Sequence, residues 1–254
     1  MKFATWNVNS LRVRLEHVLA WLDREQPSVL ALQETKLTDE NFPREAFSER
    51  GYTATFSGQP TYNGVAVLSK SAPTDVKTEI SGFADPERRV LAMTIDGIRL
   101  WNLYVPNGQR LDSDKLQYKL EWLAALRSDL EAELERHGSL LAVGDFNIAP
   151  EDRDVHDPAA WEGHVLCSPA EREALAEIER LGLADLFRKF DQPAGSFSWW
   201  DYRAGAFRRN QGLRIDLMLA SRALAERCSA CWIDVAPRRL ERPSDHVPVV
   251  AEFS

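Results

Sequence analysis

The feature that most constrains this chain is a recurrence of short apolar runs separated by longer amphipathic ones. FATWNV, SVLALQ, GVAVLS, RVLAMTI, IRLWNLYV, SLLAVGDF, RIDLMLA, CWIDV and VPVVAEF have the length and the β-branched or aromatic content of strands. Several are nearly continuous in apolar character, as strands covered on both faces are. Helical stripes lie between them. Ser10 is placed to cap one carrying Leu11, Leu15, Val18, Leu19 and Leu22. Asp112 or Ser113 opens a longer one, with Leu116, Leu120, Leu123, Leu130 and Leu134 inward and Gly138 as its stop. Ser168-Pro169-Ala170-Glu171 has a cap, a proline at the first helical position and a glutamate three residues after the cap; its stripe is Leu175, Ile178 and Leu181, ending at Gly182. No repeat, low-complexity stretch or linker interrupts this alternation. Residues 1–254 therefore read as one α/β domain, and the number of strands suits two packed sheets with helices outside better than a single sheet.

Composition narrows the class. A chain of 254 residues that is 44% hydrophobic and 28% charged is an ordinary globular protein. No apolar run approaches the ~18 residues of a membrane span. The N-terminus enters a strand directly, without the apolar stretch and cleavage site of a signal peptide, so a cytoplasmic location is expected. Three cysteines at scattered positions form no disulfide framework. Cys228 and Cys231 make a C-x-x-C, but without a second such pair or nearby histidines they read as part of a strand; metal or redox chemistry is the alternative. A net charge of −8 argues against whole-surface binding of nucleic acid. The arginines are nevertheless clustered: Arg203, Arg208, Arg209 and Arg214 in one segment, Arg238, Arg239 and Arg242 in another, and Arg88 with Arg89 in a third. Such runs are usually solvated faces and become phosphate-binding only beside a site that handles phosphate.

Polar residues break the apolar runs at their ends. Asn7 and Asn9 close the first run, Glu34 follows the second, and Tyr104 and Asn107 flank a proline turn. Gly144, Asp145 and Asn147 end another, Asp216 lies within GLRIDLML, and Asp245-His246 precede the last. Each alone has a plain explanation, such as an Asx turn, an ion pair with Arg214 or a structural histidine. Together they fit a site assembled from loops at strand ends, where α/β proteins place their chemistry. Gathered carboxylates resist ionisation unless a cation sits among them. Glu34 and Asp245 with neighbouring amide oxygens are hard ligands suited to Mg²⁺ or Mn²⁺, and no Cys/His set for zinc exists. His246 can donate to a phosphoryl oxygen and Asp145 can take a proton from water. This is the inventory of metal-assisted phosphodiester hydrolysis.

WNVNSLR, LQETK, YVPNG, GDFNIAP, GLRIDLMLAS and SDHVPVV, in this order and spread from Lys2 to Phe253, resemble the exonuclease III family of DNA-repair nucleases, within the endonuclease/exonuclease/phosphatase superfamily. The resemblance implies a four-layer α/β sandwich, two face-to-face β-sheets flanked by helices. It implies cleavage of double-stranded DNA 5′ to abasic sites, 3′–5′ exonuclease action and cleaning of blocked 3′ ends, by a monomer. It implies metal ligation by Glu34 with Asn7 and Asp245 close by, and a water positioned or deprotonated by Asp145 with support from Asn147. His246 would contact the scissile phosphate, oriented by Asp216, with Tyr104 and Asn107 at the phosphate. Some relatives carry Asp where this chain has Asn9, so a second metal position would be weaker here.

The segment SFSWWDYRAGAFRRNQGLR combines arginines for phosphate with aromatics for an unstacked base or sugar. Trp199, Trp200, Phe207, Arg208 and Arg209 are the expected DNA contacts there, with Arg110 and Tyr62 elsewhere; core packing is the competing reading for Trp199. Two other functions share much of this set: a superfamily phosphatase or phospholipase acting on inositol phosphates or lipids, and a catalytically inactive DNA-binding relative. The Trp/Arg segment and the absence of a membrane-seeking loop speak against the first. The intact ionisable set speaks against the second.

Overall fold

The computed structural model describes residues 1–254. The chain forms twelve strands, β1 (Lys2–Asn7), β2 (Val29–Gln33), β3 (Thr53–Ser57), β4 (Val65–Ser69), β5 (Thr74–Lys77), β6 (Val90–Ile95), β7 (Ile98–Tyr104), β8 (Leu140–Asp145), β9 (Leu183–Asp185), β10 (Asp216–Ser221), β11 (Cys228–Ile233) and β12 (Val249–Phe253). Its α-helices are α1 (Leu11–Glu25), α2 (Arg44–Ser48), α3 (Asp114–Arg136), α4 (Pro158–Trp161), α5 (Pro169–Glu179) and α6 (Arg222–Arg227). The strands make two six-stranded mixed sheets, ordered β11-β12-β1-β2-β4-β3 and β5-β6-β7-β8-β10-β9.

Strand periodicity sorts the apolar residues into layers. Phe3, Ala31, Val67 and Val249 of the first sheet meet Met93, Leu100, Leu141, Val143 and Met218 of the second in a core between the sheets. The alternate residues Trp6, Leu30, Leu32 and Leu68 face Val18, Trp21 and Leu22 of α1. On the far side Trp101, Ala142, Leu217 and Leu219 pack on Trp122, Leu126 and Leu130 of α3 and on Leu175 and Ile178 of α5. The result is the expected four-layer sandwich. No helix is long and apolar enough to cross a membrane.

Local readings met mixed outcomes. Ser113 caps α3 by accepting the Leu116 N–H, and Ser168 and Glu171 form a reciprocal capping box on α5. Ser10 does not cap α1 with its side chain: its backbone sits at φ 86°, and its N–H is spent on the Glu34 carbonyl. The strands that the apolar runs do not reveal are β3, β5 and β9, and all three are sheet edges. An edge strand needs only one apolar face, so TATFS and TDVK lack a continuous apolar run. Cys228 and Cys231 do lie in a strand; a bulge between Cys228 and Ala230 turns both thiols into the inter-sheet core, where burial raises their pKa values. Thiols so held are poor nucleophiles and metal ligands.

Candidate active site

The inward phase that builds the inter-sheet core also builds the site. In β1 it runs Phe3, Thr5, Asn7; in β2, Val29, Ala31, Gln33; in β7, Leu100, Asn102, Tyr104; in β8, Leu141, Val143, Asp145. Strand β10 is antiparallel to β8 and enters with Asp216 opposite Asp145, while β7 is parallel and brings Tyr104 opposite the same residue. On the other sheet Asn7 pairs with Gln33. At one end of the sandwich the inward residues therefore change together from apolar to polar. A buried amide layer underlies them: Gln33 Nε2 donates to Thr5 Oγ1 (2.9 Å) and Asn102 Oδ1 (2.7 Å), and Asn102 Nδ2 donates to the Leu32 and Ala66 carbonyls. Gly144 admits this geometry. Its φ is 140°, and a Cβ there would lie 1.9 Å from the Leu103 carbonyl oxygen.

Around that end five non-glycine residues, Asn9, Ser10, Glu34, Lys36 and Asn147, adopt left-handed backbone conformations. Such conformations cost energy and recur where a site dictates the backbone. They turn Glu34 and Asn147 back over the strand ends. Asn7 Nδ2 donates to Glu34 Oε1 (2.7 Å) and to Asp145 Oδ2 (2.9 Å), joining the two sheets. The Asn147 N–H donates to Asp145 Oδ1 (2.9 Å), and Asn107 Nδ2 to Asn147 Oδ1 (3.0 Å).

His246 is 4% exposed. Its Nδ1 lies 2.9 Å from Asp216 Oδ2, and its Nε2 3.7 Å from Asp145 Oδ2. Burial by itself would lower the imidazole pKa; Asp216 and then Asp145 outweigh it and push the histidine up to about 10. The proton thus stays on His246 at neutral pH, with Nδ1–H donating to Asp216. Burial raises the Asp145 carboxyl to about 7, with His246 opposing and Asp216 and Glu34 adding to the rise. Burial, then Glu34 and Asp145, lift Tyr104 well above its ordinary 10, so its hydroxyl keeps its proton. Asp245 differs: burial would raise it, but His246 and hydrogen bonds from Asn9 and Trp199 hold it below the usual carboxylate range.

Glu34, Asp145 and His246 each present a ligand atom, and these lie within 4.8 Å of one another. With His246 protonated its Nε2 carries a hydrogen and is no ligand, so the carboxylate oxygens of Glu34 and Asp145 remain, hard donors that suit Mg²⁺ or Mn²⁺. A cation already stands there: the Lys36 ammonium is 2.8 Å from Glu34 Oε2 and 2.7 Å from Asn9 Oδ1. A positive charge is thus accommodated beside Glu34, and the Glu34 and Asp145 oxygens, which lie within 4.8 Å of each other, fit a divalent metal. Asp245 stands to one side, with Oδ1 accepting from Asn9 Nδ2 (2.9 Å) and Oδ2 from Trp199 Nε1 (3.0 Å). Asn7 turns its amide nitrogen to the carboxylates, and its oxygen accepts the Asn9 N–H.

The expected DNA contacts separate into two groups. Tyr62, Arg110, Arg208 and Arg209 are exposed, and Asn107 and Phe207 lie at the surface or half-buried. Trp200 does not: it is 1% exposed and packs with Phe197, Ala206 and Val247, its ring edge-on to Phe207 at 5.1 Å. In this geometry it supports the arginine loop from beneath and offers DNA no ring face. Trp199 is half-buried and serves Asp245. Two serines that the sequence motifs do not single out complete the site. Ser198 Oγ donates to Asp216 Oδ2 (2.7 Å) and accepts the Asp216 N–H (3.1 Å). Ser244 Oγ donates to the Asn7 carbonyl (2.7 Å) and accepts the His246 N–H (3.2 Å). Ser244 at least sits within the SDH motif, which could have pointed to it; nothing marks Ser198 in sequence.

Residues 4–246 match the Endonuclease/Exonuclease/phosphatase family. Exodeoxyribonuclease III of Haemophilus influenzae is 37% identical, with all of each chain covered. A 3′ phosphatase, NExo, from Neisseria bound to a product DNA hairpin superposes with a TM-score of 0.98 at 45% identity, over 100% of this chain and 99% of that one. An AP endonuclease from Archaeoglobus fulgidus does so with a TM-score of 0.96 at 41% identity, over 100% and 99%. Sequence and fold agree along the full length, and this chain belongs to the endonuclease/exonuclease/phosphatase family, in its exonuclease III branch.

Proposed function

We propose that residues 1–254 form a single catalytic domain, a monomeric Mg²⁺-dependent DNA-repair phosphodiesterase. It cleaves duplex DNA 5′ to abasic sites, and it removes nucleotides and blocking groups from 3′ ends. These activities share one chemistry: each breaks a phosphorus–O3′ bond and leaves a 3′-hydroxyl. The observation that carries the reading is the Asp145–His246–Asp216 arrangement, with an acceptor and a protonated donor 3.7 Å apart at the polar end of the sandwich.

Asp145 takes the proton of the attacking water; a carboxyl pushed up to about 7 is well matched to that task near neutral pH. The Asn147 N–H on Oδ1 and the Asn7 amide on Oδ2 fix the carboxylate, so the remaining lone pair of Oδ2 keeps its aim. His246, protonated and held by Asp216, donates to a phosphoryl oxygen as negative charge grows there. Tyr104 and Asn107 add neutral donors to the same phosphate. Glu34, with Asp245 and Asn7 close by, would hold the metal, which supplies charge neutralisation at the phosphate and leaving oxygen. Arg208, Arg209, Arg110 and Tyr62 lie exposed for the DNA backbone, and half-buried Phe207 precedes the first two.

A duplex with one abasic site, offered with Mg²⁺ or with EDTA, tests the reading. Nicking is expected only with metal, and Glu34→Gln should reduce it by roughly 10²-fold or more. Persistent incision in EDTA would remove the metal. Parallel 3′-phosphate and recessed 3′-end substrates apportion the activities, and hydrolysis of an inositol phosphate in place of DNA would favour the phosphatase alternative.

A further inference from the structure

We propose that Lys119 and Glu171 are positioning residues for this site, acting through the two asparagine loops; the inference rests on the function proposed above. Lys119 lies on the apolar stripe of α3, between Leu116 and Trp122, and both it and Glu171 are 0% exposed. Dehydrating such a pair is costly, and exchanging buried ion pairs for packed apolar side chains is often neutral or stabilising. Fold stability alone therefore gives little reason for a lysine here.

Its contacts give one. The ammonium donates to Glu171 Oε1 (2.5 Å), to the Asn147 carbonyl (2.7 Å) and to the Asn107 carbonyl (3.4 Å), so all three protons are used. Glu171 is equally satisfied, accepting the Leu166 N–H on Oε1 and the Ser168 N–H and hydroxyl on Oε2. Asn107 and Asn147 follow β7 and β8, beyond the last ladder hydrogen bonds, and their carbonyls need donors. An apolar residue at 119 would leave the buried Asn147 carbonyl bare and hand the Asn107 carbonyl to water. Asn147 holds a left-handed backbone at φ 51°, and its N–H fixes Asp145. A line of contacts thus runs from Lys119 to the Asn147 carbonyl and, across that residue's Cα, from its N–H to the Asp145 carboxylate, anchored by Glu171 on α5. The pair works from behind Asp145, wholly buried, and touches no substrate.

Lys119→Met/Glu171→Leu removes both charges together and leaves none unpaired. In metal-free, DNA-free protein, hydrogen exchange at the Asn147 amide should quicken by roughly tenfold relative to amides within β8. The kcat for abasic-site nicking should fall by roughly 10²-fold with KM little changed, the size of effect a small misplacement of a reacting group produces. Lys119→Gln/Glu171→Gln keeps a neutral donor and acceptor and should give intermediate exchange and intermediate kcat. A folded Met/Leu variant with wild-type exchange and kcat overturns the proposal. If that variant does not fold, a Gln/Gln variant with wild-type exchange and kcat does so. Exchange is read without turnover, so the two proposals fail separately. A wild type inactive on every DNA substrate would count against the proposed function, while the Asn147 amide would still decide the role of Lys119.

Discussion

Arg214 and Asp216 are two residues apart, yet they belong to opposite kinds of buried charge. Arg214 Nε and Nη2 grip Asp154 at 2.6 and 3.2 Å, Nη2 also meets Asp185 at 2.7 Å, and Arg188 closes on Asp154 from the other side. Two arginines face two aspartates, and the cluster is balanced. Asp216 joins Glu34, Asp145 and Asp245; His246 and Lys36 are the cations in direct contact, while Lys119, already paired with Glu171, and Arg238 act on Asp145 and Asp245 from further off. The first cluster ties the segment after β8 to β9 and the approach to β10. The second is short of positive charge, and that deficit gives metal and protonated histidine their place. Buried charge alone does not mark a catalytic centre; an uncompensated excess of one sign points to one.

The largest contrast is expected from two matched substitutions. Asp145→Asn should lower kcat by about 10³-fold or more, with a metal-free melting temperature equal to or above wild type, because the carboxylate's charge is unwelcome in the fold. Asp154→Asn should do the reverse: about 3–5 kcal/mol of stability lost, because Arg214 and Arg188 lose a partner, with kcat per folded molecule retained. Single-turnover nicking and calorimetry on both proteins check the pair, and a clear loss of stability in Asp145→Asn would make the two clusters alike.

Asp216→Asn comes next, with about 10²-fold off kcat expected. It also removes the chief counter-charge of His246, so the histidine loses its proton at lower pH and the alkaline limb of the rate profile moves down. An unmoved limb would detach that histidine from the profile.

Linkage gives a smaller effect. Asp145 rises from 3.8 to about 7 and His246 from 6.5 to about 10. Groups raised by folding stabilise below their unfolded pKa and lose that contribution as pH climbs through the folded one. Metal-free protein should therefore lose the Asp145 share between pH 4 and 7 and the His246 share between about 6.5 and 10. A metal competes with the Asp145 proton, so Mg²⁺ should raise the melting temperature more at about pH 8 than at about pH 6. An equal shift at both would separate Asp145 from the metal. The smallest effect is at the exposed rim: Arg208→Ala should weaken DNA binding and reduce the logarithmic salt slope by about one, leaving kcat intact. A titration across salt concentrations reads it.

Much of this was legible in the chain. Buried strands announce themselves because both faces must be apolar, and the polar residues that end them stand out against that background. The edge strands β3, β5 and β9 did not, because solvent excuses one of their faces. Trp199 and Trp200 show a finer limit. They are adjacent and chemically identical, and alternation alone cannot say which ring goes inward; packing with Phe197 and Val247 takes Trp200, and Asp245 takes Trp199.

The sequence by itself determined the order of the buried strands and of the three longer helices α1, α3 and α5, the turn of each inward row from apolar to polar, and the residue types that meet there. These follow from local periodicity, which any stretch of chain carries within itself. Only the tertiary structure decided that Asp145 faces His246 and not Asp245, that Lys36 stands beside Glu34, and that Lys119 supports both asparagine loops from inside a helix stripe. Those outcomes depend on the register between β8 and β10, the approach of two separate sheets and the seating of α3, and distances between residues far apart in sequence exist only once the layers have closed.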